Sequence, residues 1–380
     1  MKVRGSVVTP TGIVSDGTVE IADGRIVEVV ENDPSGRLPE PGAPGADISA
    51  AWVLPGFVDI HVHGGGGASF TTGDPDEAAR AIAFHLAHGT TTMLASLVTA
   101  PTHVLRDATV AFAPLIASGA LAGIHYEGPY LSAARCGAQN PAHLRDPDLD
   151  ELSALLDLGG VRMVTIAPEL PRALDAIRLL VERGVVAAVG HTDATYEQTL
   201  AAVGAGASVG THVCNGMRPI HHREPGPIVA LLRAAGVVCE QVPDGIHLHD
   251  GMLGFAAQMA GAARVALITD AMAAAGMPDG AYELGGLSVR VAGGVARLAT
   301  NDAIAGSTLT MDAAFRHTVH SGVSIVDAAV MAATTPAGVL GLTDDIGLIA
   351  PGRRADLVLM DEELQVTGVL RAGAPVLSGV

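Results

Sequence analysis

The sequence predicts a (β/α)8 barrel of TIM type carrying a small β-sandwich domain built from both chain termini. Three observations predict it. Short apolar strands alternate with amphipathic helical stretches between residues 53 and 347, β-rich segments flank that body at both ends, and metal-binding residue types recur at strand ends. The 380 residues allow one large domain with a small satellite. Hydrophobic residues at 49% against charged residues at 16% support a deep core and argue against disorder.

The elements follow in order. Residues 2–8, 17–22 and 25–30 read as strands, with a turn at Asp23-Gly24. The Pro/Gly-rich run at 31–47 reads as a connector. Strands then fall at 53–60, 90–97, 121–126, 161–166, 185–189, 208–211, 237–241 and 265–269, with helices including 75–88, 101–118, 171–183 and 196–205. A hairpin at 287–290 and 295–298, around Gly293-Gly294, interrupts the unit after the eighth strand. Residues 355–360 and 366–371 are strands again, giving a division into 1–52, 53–347 and 348–380 with the outer pieces forming one β domain. A doubly wound sheet is the rival, but no Gly-x-Gly-x-x-Gly loop opens a first helix.

Composition removes several function classes. A formal charge of −18 repels a nucleic-acid backbone, and aromatic residues at 3% leave little for base or sugar stacking. Any phosphate site must therefore use local arginines, histidines and backbone N–H groups. The three cysteines, Cys136, Cys214 and Cys239, form no CxxC pair and no disulfide framework. No signal-peptide core and no apolar run of about 18 residues is visible, so a cytoplasmic protein without a membrane partner is expected.

The chemistry lies at the strand ends. Strand one runs into His61-Val62-His63, strand three into Glu127, strand five into His191, strand six into His212 and strand eight into Asp270. In a barrel these ends meet on one face, where catalytic groups sit. Imidazole and carboxylate donors without thiolate suit Zn²⁺, with Fe²⁺ or Co²⁺ as alternatives. Glu127, His191 and His212 supply three ligands and leave a position for water. His61 and His63, at spacing two, face one way along a strand and either hold a second ion bridged by Glu127 or line the site by hydrogen bonding. Lys2 is the only lysine, so a carboxylated-lysine bridge between metals is excluded. Asp270 is placed to exchange a proton with metal-activated water and the leaving nitrogen; the alternative role is a further ligand.

The segments PGFVDIHVH (55–63), HYEGPYL (125–131), GHTDATYEQ (190–198), THVCNGM (211–217), REPG (223–226), PDGIHL (243–248), ITDAM (268–272) and AGSTLTM (305–311) together resemble the N-acetylglucosamine-6-phosphate deacetylases of the amidohydrolase superfamily. The resemblance implies hydrolysis of N-acetyl-D-glucosamine 6-phosphate to D-glucosamine 6-phosphate and acetate, in amino-sugar catabolism and cell-wall sugar recycling. It implies Glu127, His191 and His212 as metal ligands, His61 and His63 as those of members with the two-histidine motif, and Asp270 as the acid/base. Asn215, Gly216, Arg223 and His247 match substrate-binding positions, with Arg223 reaching the phosphate across the interface of a homodimer or dimer of dimers. One departure stands out. Family members often carry a histidine that contacts substrate where this chain has Gln139, which can donate a hydrogen bond but carries no proton or charge. Cys136 falls on the same loop, as an active-site thiol or a spectator. His221 and His222 beside Arg223, and His85, His88, His317 and His320 in helical stretches, receive no assigned role. A different amidohydrolase, or a silent sugar-phosphate sensor, is the competing reading.

Overall fold

The computed structural model describes residues 1–32 and 48–376, so all but the first two residues of the connector predicted at 31–47 lie outside the described residues. Eight parallel strands form the body: Phe57–Asp59, Thr90–Val98, Gly123–Glu127, Val161–Ile166, Val186–Val189, Val209–Gly210, Val238–Gln241 and Val265–Leu267, each hydrogen-bonded to the next in that order. The ring closes where strand one meets strand eight. The Asp270 N–H donates to the His61 carbonyl at 2.9 Å, and the His63 N–H to the Ala271 carbonyl at 2.8 Å. Every residue of Thr90–Val98 is buried, as expected of a parallel strand covered on both faces. Val58, Ile60, Leu94, Met163, Ala188, Val209, Ala266 and Ile268 fill the interior of the barrel.

A helix follows each strand: Pro75–Ala87, Thr102–Ala117, Leu149–Leu156, Ala173–Glu182, Tyr196–Gly204, Gly226–Arg233, Asp250–Ala260 and, after an insertion, Met311–His320. Pro75–Ala87 shows how sequence dictates such a helix. Asp74 caps it by accepting from the Asp76 and Glu77 N–H groups, Pro75 opens it, and Ala78, Ala81, Ile82 and His85 recur at helical spacing on its buried face.

His85 gives a testable consequence. Its Nε2 lies 2.9 Å from the Gly64 carbonyl, and burial pushes its pKa down to about 4. The unfolded chain binds this proton near pH 6.5, whereas the folded chain does not until about pH 4. Stability from this group is therefore complete above pH 6.5 and falls by about 1.4 kcal/mol per pH unit down to pH 4. Urea unfolding at pH 7.5 and pH 5 should differ by about 2 kcal/mol from this group alone, and His85→Gln should remove that part of the difference. An unchanged slope in the variant would refute the assignment.

The remaining strands assemble mainly from the two ends of the chain. A seven-stranded sheet runs Ala374–Pro375, Val366–Arg371, Leu357–Met360, Ile48–Pro55, Lys2–Thr9, Gly12–Ala22, Arg25–Glu31. It curls over a core of Val3, Val7, Val19, Ile26, Val53, Leu357 and Leu370, and its far edge returns to the C-terminal segment through Ile26 N–H to Arg353 C=O at 2.9 Å. The run predicted as one strand at 53–60 is divided between the two sheets at Gly56. A Cβ there would meet Thr91 Oγ1 at 2.3 Å and Asp356 Cβ at 2.8 Å, so only glycine lets the chain pass from sheet to barrel. The predicted hairpin is a three-stranded sheet, Gly280–Leu284, Leu287–Ala292 and Val295–Leu298. Its first strand is half exposed and lacks an apolar run. Among the described residues no helix is long and apolar enough to cross a membrane.

Candidate active site

The strand ends gather at one mouth of the barrel. His61, His63, Glu127, His191, His212 and Asp270 are all buried at the C-terminal mouth of the barrel. Asp270, His191 and His212 have φ of 51°, 46° and 25°, a left-handed conformation that costs a non-glycine residue on the order of 1 kcal/mol or more. Each strand thus turns sharply at its functional side chain. Gly216 allows the same crowding: its φ is 59°, and a Cβ would lie 2.9 Å from His191 Nδ1.

Glu127 is the hub. Its Oε1 lies 2.9 Å from His212 Nε2, 3.0 Å from His191 Nε2 and 3.5 Å from His61 Nε2, and its Oε2 lies 3.3 Å from His63 Nε2. The ligand atoms form two overlapping groups, His61–His63–Glu127 and Glu127–His191–His212, each within 4.8 Å of one another. Nε2 atoms pair at 3.1 Å for His61–His63 and 3.2 Å for His191–His212. Two nitrogens on one tetrahedral zinc stand about 3.3–3.4 Å apart, so the spacing fits.

The tautomers fit as well. His61 Nδ1 meets Glu240 Oε2 at 3.0 Å, His63 Nδ1 the Ser96 carbonyl at 3.1 Å and His191 Nδ1 the Arg135 carbonyl at 2.9 Å. Carbonyls and carboxylates only accept, so these Nδ1 atoms carry hydrogen and each neutral ring turns its Nε2 lone pair toward Glu127. Lone pairs then face a carboxylate, an arrangement that only a cation or added protons satisfies. Burial opposes charge on these rings, yet the carboxylates overcome it. His63 is raised to about 9, and His61 and His191 are also held above their ordinary value. Burial likewise opposes ionisation of Glu127 and Asp270, and the surrounding imidazoles hold both well below the usual carboxylate range. A bound ion would displace those protons.

Asp270 Oδ1 stands 3.2 Å from His63 Nε2, and its Oδ2 stands 3.7 Å from His247 Nε2. Asp244 pins His247 through Nδ1 at 2.7 Å. The cavity above the cluster is about 220 Å³ and is lined by Gln139, Asn215, Gly216, His247 and Asp270 together with apolar Leu284, Ala303 and Ile304. Both amide atoms of Gln139 are engaged by the protein, Nε2 donating to Glu127 Oε2 at 2.5 Å and Oε1 accepting from the Thr99 N–H at 2.8 Å.

Arg223 is not brought into this group. It is exposed, donates from its guanidinium to His222 Nε2 at 2.7 Å, and is absent from the cavity wall, as is Cys136. Cys239 is a core residue whose thiol burial raises to about 12. Three contributors escaped the sequence: Glu240, which orients His61 and accepts from the His212 N–H at 3.1 Å, Asp244, and the Leu284–Ile304 wall. A carboxylate inside the apolar run 237–242 was the available signal for Glu240.

A parallel barrel with an imidazole–carboxylate cluster at its C-terminal mouth defines a metal-dependent hydrolase scaffold, and the amidohydrolase family model matches residues 52–376. The chain belongs to the amidohydrolase family. Within it, the chain is 35% identical over 377 residues to N-acetylglucosamine-6-phosphate deacetylase of Lysinibacillus sphaericus, covering 97% of this chain and 95% of the relative. It is 37% identical to N-acetylgalactosamine-6-phosphate deacetylase of Escherichia coli O157:H7, with 94% of each covered. The crystal structure of N-acetyl-D-glucosamine-6-phosphate deacetylase from Mycobacterium smegmatis superposes with a TM-score of 0.93 at 48% identity, over 99% of this chain and 100% of that one.

Proposed function

We propose that this enzyme hydrolyses the acetamide of N-acetyl-D-glucosamine 6-phosphate, releasing acetate and D-glucosamine 6-phosphate, as a step of amino-sugar catabolism and cell-wall sugar recycling in the cytoplasm. The observation that carries this is the set of imidazole lone pairs and two carboxylates converging beneath a sugar-sized cavity. The M. smegmatis relative, in complex with N-acetyl-D-glucosamine-6-phosphate, supports the substrate.

Glu127, His191 and His212 would hold one divalent ion, and His61 and His63 with Glu127 would hold a second; the donors favour zinc over iron or cobalt. When bound, such an ion acidifies water and polarises the acyl oxygen. Asp270 accepts the proton from the attacking water and returns it to the departing nitrogen, because an amide anion is too poor a leaving group. His247, oriented by Asp244 and standing beside Asp270, contacts the bound sugar or its phosphate, as the resemblance implies for a substrate-binding position. Asn215 and Gly216 also line the cavity and take the phosphate.

A phosphate dianion also needs a cation, and among the described residues no arginine or lysine lines the cavity. Arg223, exposed on its loop, supplies that charge across a homodimer interface, where its fork meets two phosphate oxygens. Arg223→Ala should then raise KM for the phosphorylated sugar at least about 100-fold, the worth of a charge-assisted pair of hydrogen bonds, while leaving unphosphorylated N-acetylglucosamine nearly unaffected. Equal losses on both substrates would remove Arg223 from phosphate recognition.

Acetate release from N-acetyl-D-glucosamine 6-phosphate, measured with bound metal determined on the same sample, tests the whole reading. The E. coli relative favours one alternative, the galacto epimer, and kcat/KM on the two epimers separates them. No acetate from either sugar phosphate with metal fully bound would reject the proposal.

A further inference from the structure

Gln139 reaches the floor of the cavity and is only 4% exposed. Its amide has one permissible orientation. The Thr99 backbone N–H, 2.8 Å from Oε1, can only donate, so Nε2 is the atom that faces Glu127 Oε2 at 2.5 Å. Thr99 reinforces the arrangement by donating its hydroxyl to the Glu127 carbonyl at 3.2 Å. The segment carrying Gln139 is anchored independently of the carboxylate: Arg135 pairs with Asp193 at 2.8 Å, and the Ser132 N–H donates to the His191 carbonyl at 2.9 Å.

The two oxygens of Glu127 therefore differ. Oε1 meets only imidazole nitrogens, the nearest being His212 and His191 at 2.9 and 3.0 Å. Oε2 faces His63 at 3.3 Å while already accepting from Gln139. A donor on Oε2 occupies one lone-pair direction and draws negative charge from that oxygen alone. An ion held by Glu127, His191 and His212 meets Oε1, an unshared acceptor, whereas an ion between His61 and His63 that takes Oε2, the oxygen His63 faces, competes with an amide hydrogen.

We infer that Gln139 is a positioning residue that makes the two triads unequal, so that the first ion enters Glu127–His191–His212 and the second binds His61–His63–Glu127 at least about tenfold more weakly, the worth of one hydrogen bond to a charged acceptor with which it competes. The inference rests on the metal reading above and concerns the order of filling, not the reaction.

Titrating zinc into the metal-free full-length protein, in competition with a chromogenic chelator, tests it. Wild type should show a tight and a weak class. Gln139→Met removes the donor at similar length and should narrow the gap about tenfold by freeing Oε2 for the second ion, with the first affinity held within about threefold. A purely structural role would weaken both classes together. Gln139→Leu, which also lacks the donor and adds no charge or ligand, carries the same expectation should the Met form not fold. A wild type that takes one ion, with a Gln139→Met form that takes two, supports the inference equally. Equal affinities in wild type, an unchanged gap in a folded variant, or one ion in every form overturns it. A wild type that binds no ion would instead reject the metal reading itself.

Discussion

Asp270→Asn is expected to lower kcat for deacetylation by about 10³- to 10⁴-fold while leaving fold and metal content intact. Asparagine preserves the shape of the side chain but can neither take nor return a proton. The local structure should tolerate it, because the Asp270 backbone is tied independently: its N–H donates to His61 at 2.9 Å, and its carbonyl accepts from the Ser307 N–H at 2.7 Å. Asp270 also stands on the open side of the cluster, lining the cavity, where both water and amide nitrogen can reach it. Steady-state acetate release combined with metal analysis distinguishes the two roles open to this residue. Lost turnover with full metal content identifies the proton carrier; lost metal identifies a ligand. Retained turnover removes Asp270 from the chemistry altogether.

Glu127→Ala should have the larger effect. This carboxylate is common to both ligand groups, and its loss leaves His61, His63, His191 and His212 facing one another without the negative charge they share. Bound metal should fall below a tenth of the wild-type content, and deacetylation by at least about 10⁴-fold, since a Lewis acid contributes several kcal/mol and each 1.4 kcal/mol is tenfold in rate. Removing one partner of a buried charge cluster also costs about 3–5 kcal/mol of stability, so the thermal midpoint of the metal-free protein should drop as well. Glu127→Gln, which keeps one oxygen acceptor, should recover much of that stability but little of the metal. Stoichiometric tight metal in the alanine variant would refute the hub assignment.

Most of the barrel was legible in the chain because its strands are continuous apolar runs punctuated by turn residues. Residues 161–166 were predicted and observed without change. The errors have a common origin. The run 53–60 is apolar throughout, and periodicity within a strand carries no information about which sheet each half joins; Thr91 and Asp356, distant in sequence, make the division at Gly56. The strand Gly280–Leu284 is half exposed, so its pattern is too polar to register.

The site divides the same way. Ligand-type residues immediately after strands could be marked from sequence, because barrel topology places all such positions on one face. Glu240 lies inside its strand and was passed over by that rule, although its oxygen sets the tautomer of His61. Gln139 could be located but not given a partner, because an amide has no intrinsic preference for a ligand over a substrate; the Thr99 N–H decided it.

The amino-acid order alone determined which side chains stand at the strand ends, and with them the class of chemistry, since a backbone period and a right-handed crossover leave only one face for them to share. Tertiary structure alone decided which oxygen of Glu127 faces which histidine, which proton sits on which ring nitrogen, and that Arg223 lies outside its own cavity. Those are properties of ångström-scale contacts between segments tens to hundreds of residues apart, and no local pattern encodes them.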